Sequence, residues 1–232
     1  MTKSDLEAEL RVEWLTMKRG TPHHPSQRVQ RYAQCVAFAI IDVLPEEFQN
    51  LNWEIIVFDD GRQNAMVTPD GKIAIFSGLL AAADTPSKLA AVIGHEAAHL
   101  TEDHVSERLG RMRTTGVLGA VGGTVTGFGG EAQSVAQVFF QLPYQRKQES
   151  EADLTGMMYM AKAGYDPSAT IDLWRAMGGS GTLQERRQRP PDFLSTHPDP
   201  ELRMTDIARN LAPALQAYHD ALDAGVRPRC SL

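Results

Sequence analysis

Two histidines four residues apart, with a glutamate directly after the first, are the residues of this sequence best suited to metal chemistry. In the segment GHEAAH, His95 and His99 project from one face if residues 94–99 are helical. Their two imidazole nitrogens could then bind one ion. Glu96 is rotated by about 100° from His95, so it would not bind the ion easily but could reach a water beside it. Two ligands plus a general base predict a catalytic zinc site.

A catalytic zinc site needs a third protein ligand, and the nearest histidine is poorly placed to supply it. In an extended form of the motif a glycine and a third histidine follow, but Glu102 and Val105 occupy those two positions. His104 comes one residue earlier and lies on a different face of the predicted helix. We therefore interpret His104 as a packing or surface histidine.

A carboxylate from a later helix is the alternative third ligand. In the segment YQRKQESEADLTG, Glu149 and Asp153 are four residues apart and share a helical face. One acid could bind the metal while the other accepts a hydrogen bond from the second ring nitrogen of a ligand histidine. Glu151 points elsewhere and is expected to be solvated.

The elements that must position these residues are mostly helical. Thr85 followed by Pro86 marks the start of a helix that is expected to run to about Arg111 and to carry His95 and His99. Apolar periodicity and the positions of glycine and proline predict further helices at 4–18, 26–44, 131–143, 144–163, 167–177 and 199–223.

A small β section precedes the metal-binding helix. Branched and aromatic residues predict a strand at 53–59, and the turn Pro69-Asp70-Gly71 predicts a hairpin of strands 64–68 and 72–77. We expect a single, predominantly helical α+β domain over residues 1–232. Its parts would be N-terminal helices at 1–50, a catalytic core at about 51–210, and a C-terminal helix and tail at 199–232.

The charge and the apolar patterning of the sequence restrict the kinds of partner and compartment that are expected for this chain. The formal net charge is −6, which argues against nucleic acid because phosphate binding needs a basic face. The first twenty residues contain no secretory leader, so we expect a cytoplasmic protein or a form that lacks its leader. The longest uncharged run, 114–130, has 17 residues including seven glycines, too short and too glycine-rich for a confident membrane span.

The two cysteines leave two possibilities open. Cys35 lies in an apolar stretch, as a buried free thiol would, and Cys230 lies near the C-terminal end of the sequence. A disulfide between them would join the C-terminal tail to an N-terminal helix and would suit an oxidising compartment. Two cysteines alone do not decide between these readings.

An ordered set of motifs resembles the M48 family of zinc metallopeptidases. HEAAH is followed about fifty residues later by E-x-E-A-D, then by GYDP at 164–167 and by S-T-H-P-x-x-x-x-R at 195–203. The resemblance covers roughly residues 60–210 and implies a zincin-like fold. Because membrane members carry transmembrane helices and none is evident here, the sequence is closer to the soluble, envelope-located branch.

The resemblance also implies roles for individual residues. By it, His95, His99 and Glu149 bind one zinc ion per chain, Glu96 is the general base, and Asp153 supports a ligand histidine. His197 either hydrogen-bonds the oxyanion or occupies the open zinc position in a resting state. Arg203 orients the His197 loop or binds substrate carbonyl or carboxylate groups, and a surface ion pair with Asp199 or Glu201 is its alternative.

Two further segments are candidates for substrate or membrane contact. Zinc peptidases of this build pair an edge strand with the substrate backbone, which would make Ile73, Ala74 and Ile75 of strand 72–77 substrate-binding residues. An ordinary buried strand is the alternative. The glycine-rich segment 116–130 could be a mobile lid over the cleft or a surface that touches lipid, and a close-packed helical turn is its alternative.

The expected function is endoproteolysis of unfolded, misfolded or membrane-associated envelope proteins. The resemblance implies the bacterial periplasm or cell envelope, with the cytoplasm as the alternative. Two rival functions remain open. One is a latent or non-proteolytic chaperone or assembly factor whose zinc site is closed by a fourth ligand. The other is a metal hydrolase that does not act on peptides.

Overall fold

The helix that carries His95 and His99 packs against a small sheet and against several neighbouring helices in the described part of the chain. The computed structural model describes residues 3–114, 143–179, 193, 196–197 and 200–232. The predicted helix that begins at Glu131 and the predicted lid or lipid-contacting segment 116–130 lie outside these residues. Among the residues that the structure describes, no helix has the length and apolar character needed to cross a bilayer.

Most of the predicted helices are present. In the part of the chain that the structure describes, the helices are α1 (Lys3–Gly20), α2 (Gln27–Ile41), α3 (Glu46–Gln49), α4 (Pro86–Thr101), α5 (His104–Thr114), α6 (Arg146–Lys162), α7 (Ala169–Gly179), α8 (Pro200–Arg209) and α9 (Leu211–Asp223). Thr85 begins α4 as predicted, since its side chain accepts a hydrogen bond from the Lys88 amide at 3.2 Å. Gly164, with φ of 82°, follows the end of α6, where a left-handed residue is favourable.

The sheet contains three strands, β1 (Glu54–Phe58), β2 (Ala65–Val67) and β3 (Lys72–Phe76), in the order β1-β3-β2. The predicted hairpin is confirmed, because β2 pairs with β3 in antiparallel fashion. The prediction that Ile73, Ala74 and Ile75 lie on an edge strand is wrong. β3 is central, pairing in parallel with β1 on its other side, so its backbone groups are already used. The edge nearest α4 is β2 instead.

The predicted continuous helix from Pro86 to Arg111 is wrong, because it breaks into α4 and α5 between Thr101 and His104. Asp103 has φ of 56°, a left-handed conformation that aspartate tolerates better than most residues. Its carboxylate then accepts a hydrogen bond from the Ser106 hydroxyl at 2.5 Å at the start of α5. The break changes the direction of the chain and turns the His104 side chain back toward His99.

The predicted helix at 199–223 also divides, into α8 and α9 at Asn210. Pro213 gives the physical reason, since its ring would clash with the carbonyl of Arg209 in a continuous helix. In the observed arrangement Pro213 lies in the first turn of α9, where a missing amide hydrogen is tolerated.

A pair of glycines lets α4 and α6 approach closely. A Cβ atom on Gly156 would lie 2.7 Å from the backbone of Gly94 and His95, and one on Gly94 would meet Gly156 at the same distance. Only glycine allows backbones to approach this closely. The contact brings Glu149 and Asp153 of α6 beside His95 and His99 of α4.

The two cysteines form a disulfide, so the free-thiol interpretation of Cys35 is wrong. Cys35 of α2 and Cys230 of the C-terminal tail have Cα atoms 5.7 Å apart and are separated by 195 positions in sequence. The bond attaches the tail to α2 and closes a loop that contains the whole sheet and the candidate site.

Replacing both cysteines with serine is expected to lower the free energy of unfolding by about 2–5 kcal/mol, because the bond restricts a very long loop in the unfolded chain. Urea denaturation of the oxidised protein and of the Cys35→Ser, Cys230→Ser variant measures the difference. A reductant should destabilise the wild type and leave the variant unchanged. Equal stability of the two oxidised samples would contradict this expectation.

Candidate metal centre

Four buried side chains converge beside α4. His95 and His99 of α4, Glu149 of α6 and His197 each offer one ligand atom, and these four atoms lie within 4.8 Å of one another. The Nε2 atoms of His95 and His99 are 3.0 Å apart. His197 Nδ1 lies 3.1 Å from His95 Nε2 and 3.0 Å from Glu149 Oε1. The structure thus brings the three predicted zinc ligands together with His197.

The chemistry of this donor set fits zinc. Three imidazoles and one carboxylate match the nitrogen and oxygen ligands that zinc takes in tetrahedral sites. Metal binding requires neutral imidazole, and burial lowers the pKa of both His99 and His197 well below the usual histidine value. The Nε2 atoms of His95 and His99, 3.0 Å apart, are close enough to bind the same cation when both carry a lone pair.

Asp153 lies behind His95, on the side away from the cluster. Its Oδ1 atom is 3.0 Å from His95 Nδ1, the contact expected if the carboxylate holds the proton on Nδ1 and leaves the Nε2 lone pair for a metal. Burial alone would raise the pKa of Asp153. The charge and hydrogen bonds of Arg203, together with His95, outweigh burial and lower this pKa to about 2.

Arg203 is buried at the centre of the carboxylates, so the predicted alternative of a surface ion pair is wrong. Its side chain is 3% exposed, and its Nε and Nη2 atoms each donate to Asp153 at 2.6 Å. Its Nη1 atom lies 2.5 Å from Glu149 Oε2 and donates to the carbonyl of His197 at 3.4 Å. The last contact agrees with the loop-orienting role, whereas the guanidinium does not line the cleft beside Glu96.

Glu96 lies next to the cluster but outside the set of four ligand atoms. Its Oε1 atom is 3.4 Å from His197 Nε2, and its carboxyl group hydrogen-bonds to the backbone of Val67 in β2. Burial, and then the negative charge of Glu149, raise the pKa of Glu96 from 4.5 to about 8. A carboxyl group whose pKa is near neutrality can both take and give a proton.

Three side chains around the cluster were missed as functional candidates. Tyr144 stacks on the His99 ring, with centroids 3.6 Å apart and planes 10° apart. The Arg108 guanidinium lies over the same Tyr144 ring, 3.6 Å from its centroid. The third, His104, contacts His99 directly. Tyr144 precedes its helix and has no periodic signal, and Arg108 looks in sequence like any cation on an amphipathic helix.

The cleft beside Glu96 is small. Its volume is about 20 Å³, and it is lined by Asn64, Ala65, Met66, Val67, Glu96, Arg108, Tyr144, Thr196 and His197. That volume has room for about one water molecule. Phe193 covers the cluster by stacking on His197 with ring centroids 4.2 Å apart. A cleft of this volume does not hold a peptide in this conformation.

Comparison with known proteins identifies relatives of the chain. A profile of peptidase family M48 matches residues 24–210. The mitochondrial metalloendopeptidase OMA1 of Saccharomyces cerevisiae is 33% identical over 174 residues, which is 74% of this chain and 50% of that protein. Human OMA1 is 31% identical over 177 residues, 72% of this chain and 34% of the relative. The beta-barrel assembly-enhancing protease of Yersinia pestis is 28% identical over 171 residues, 68% of this chain and 34% of the relative.

The region matched by the family profile contains the helices that meet at the metal centre. It includes α4 and α6, which supply His95, His99 and Glu149, and it extends through His197 and Arg203. The chain spans about half or less of the length of these curated relatives. Because the profile covers most of the chain, the assignment is clear: this chain belongs to peptidase family M48.

Proposed function

We propose that the chain is a zinc-dependent endopeptidase that binds one zinc ion through His95, His99 and Glu149. The observation that carries this proposal is the buried cluster of three imidazoles and a carboxylate, with the Glu96 carboxyl group beside it. Zinc held there would act as a Lewis acid that polarises the scissile carbonyl and makes a water molecule more acidic.

The residues of the chain would carry the proton transfers and the positioning. Glu96 would take a proton from the attacking water and give it to the leaving amine, a role that its position beside the ligand cluster suits. Asp153 would keep the proton on His95 Nδ1, and Arg203 would hold Asp153 and Glu149 in place. A purely structural metal site would have no use for a general base at Glu96.

Strand β2 is the proposed binding edge for an extended peptide. In the described part of the chain β2 has a strand neighbour on one side only, and its residues line the cleft beside Glu96. N–H and C=O groups on such an edge can pair with a substrate backbone and read little side-chain identity, and the Val67 amide would exchange its contact with Glu96 for the substrate. This favours unfolded polypeptides as substrates and gives Ala65, Met66 and Val67 the role first predicted for Ile73, Ala74 and Ile75.

We further propose that the substrates are misfolded or membrane-associated envelope proteins and that the chain works in the bacterial periplasm or cell envelope. The Cys35–Cys230 disulfide supports an oxidising compartment over the alternative, the cytoplasm. The relatives named as a mitochondrial metalloendopeptidase and a beta-barrel assembly-enhancing protease support a protease role. The proposed contact of 116–130 with lipid stays a prediction.

Metal removal tests the proposed activity. The purified protein is expected to contain one zinc ion per chain by elemental analysis and to cleave casein. A chelator should abolish cleavage, and added zinc should restore it, because the catalytic water is activated only at the metal centre. Cleavage that survives complete loss of zinc would contradict the proposal, and so would a protein that takes up no metal.

A latent form of the peptidase is the second candidate, and the position of His197 favours it. His197 Nδ1 lies among the ligand atoms, and a fourth protein ligand closes the position that a catalytic zinc site leaves open. The cleft volume of about 20 Å³ agrees with a closed resting state. In this reading the enzyme cleaves only after the His197 loop withdraws.

Replacing His197 with alanine separates the two predicted roles of that residue. If His197 closes the site, His197→Ala is expected to cleave casein several-fold faster than the wild type while still binding one zinc ion. If His197 instead stabilises the oxyanion, the variant should lose about 10²–10³-fold in rate. Cleavage rates and zinc contents measured on the same samples distinguish these two roles of His197. Zinc binding without cleavage by either protein would favour the non-proteolytic assembly factor.

A further inference from the structure

We propose that His104, with Glu151 behind it, is a positioning residue that holds His99 in the tautomer that binds metal. The inference rests on the proposed zinc site and adds a second support beside that of His95. It assigns a hydrogen-bonding role to a histidine whose position in sequence suggests only packing or surface exposure.

The contact between the two rings is short and buried. His104 is the first residue of α5 and is 2% exposed, and its Nδ1 atom lies 2.9 Å from Nδ1 of His99. Two lone pairs would repel each other at that distance, and two N–H groups would clash. One nitrogen must therefore donate a hydrogen bond and the other must accept it.

The surroundings of the pair determine which nitrogen donates. Glu151 of α6 places Oε2 3.6 Å from His104 Nε2, and its negative charge favours a proton on that nitrogen. The Nδ1 atom of His104 is then the acceptor, so His99 must carry its proton on Nδ1. His99 Nε2, which faces His95 Nε2 at 3.0 Å, is left with a lone pair directed into the cluster.

Glu149 is the competing partner for the His99 proton. Its Oε1 atom lies 3.4 Å from His99 Nε2 and could accept a hydrogen from that nitrogen in the other tautomer. The 2.9 Å contact with His104 permits either direction of donation, but the other tautomer would turn a lone pair of His104 toward the Glu151 carboxylate. The charge of Glu151 therefore opposes the tautomer that leaves no lone pair on His99 Nε2.

Both ligand histidines are in this way supported from the same helix. Asp153 of α6 contacts His95 directly, while Glu151 of α6 acts on His99 through His104. The stacked Tyr144 ring fixes the plane of His99, and His104 selects which of its nitrogens carries the proton. The helix break at Asp103 is what allows a residue five positions after His99 to reach its ring.

Two substitutions at His104 separate hydrogen bonding from packing. The side-chain oxygen of asparagine can take the place of the imidazole Nδ1 acceptor, whereas leucine fills similar space without an acceptor. Zinc affinity measured by chelator competition is expected to fall by about 10–100-fold in His104→Leu, and by much less in His104→Asn. His219→Leu, the same change at an exposed position of α9, should bind zinc like the wild type.

Each outcome bears on the proposal. Wild-type affinity in a folded His104→Leu variant would overturn it, and so would an asparagine variant as weak as the leucine one, which would assign the effect to ring packing. If His104→Leu does not fold, nitrogen NMR of the metal-free wild type shows which ring nitrogen of His99 carries the proton. A proton on His99 Nδ1 supports the proposal, and a proton on Nε2 overturns it. This reading holds even if the wild type binds no zinc, a result that would count against the proposed function alone.

Discussion

Replacing Glu96 with glutamine is expected to slow peptide hydrolysis by about 10²–10⁴-fold without removing the metal. Glutamine has the same shape but cannot take a proton from water or give one to the leaving amine. Because Glu96 is not among the four converging ligand groups, the variant should still bind one zinc ion per chain. Casein cleavage and zinc content measured on the same samples test both halves of the expectation.

The fold of the Glu96→Gln variant should be at least as stable as that of the wild type. Burial and Glu149 raise the pKa of Glu96 from 4.5 to about 8 in the metal-free protein. A carboxyl group with a raised folded-state pKa makes the free energy of unfolding fall as pH rises between these two values. Glutamine removes that dependence, so loss of activity cannot be attributed to unfolding.

A matched control is Glu47→Gln, the same change at an exposed position of α3. It should leave both cleavage and zinc content unchanged. The assignment of Glu96 as general base would fail if Glu96→Gln cleaved casein at the wild-type rate. It would also be weakened decisively if the variant lost its zinc, because Glu96 would then be acting as a ligand.

Replacing Arg203 with methionine is expected to lower the free energy of unfolding by about 3–5 kcal/mol. The guanidinium is 3% exposed and donates two hydrogen bonds of 2.6 Å to Asp153, while Nη1 lies 2.5 Å from Glu149. Methionine can fill much of the space above the Trp174 ring, over which Arg203 lies at 3.8 Å, but it leaves two buried carboxylates without their cation. Urea denaturation of the metal-free proteins measures the loss.

The control for this substitution lies on the same helix. Arg209 is 75% exposed in its side chain and 3.9 Å from Asp206, so Arg209→Met should change stability by less than about 0.5 kcal/mol. Similar losses in both variants would show that the helix α8, rather than the buried charge network, is sensitive to methionine. Zinc should partly rescue Arg203→Met, because a bound cation replaces some of the lost positive charge beside Glu149.

The edge-strand prediction shows where reasoning from sequence reaches its limit. Strand 72–77 and its hairpin with 64–68 follow from alternation and from the turn at Pro69-Asp70-Gly71, which are short-range features. Whether β3 is at the edge or in the centre depends on where β1 pairs, and β1 joins it in parallel from more than a dozen residues away. No local pattern in either strand contains that information.

The surroundings of Arg203 and His104 illustrate the same limit for side chains. Both look in sequence like ordinary surface or packing residues, since each stands among polar neighbours. Arg203 is buried because α8 packs on α6, and His104 reaches His99 because the chain turns at Asp103. Burial of a charged group depends on which carboxylates lie around it, and these come from positions about fifty residues away.

The sequence by itself determined the spacing of the residues that carry the chemistry. The four-residue intervals between His95 and His99 and between Glu149 and Asp153 place each pair on one helical face, because the helical repeat is a local property of the backbone. Only the tertiary structure decided how those faces meet, through the Gly94–Gly156 contact, the position of His197 among the ligands and the Cys35–Cys230 bond. These features depend on packing between distant segments, which residue spacing does not encode.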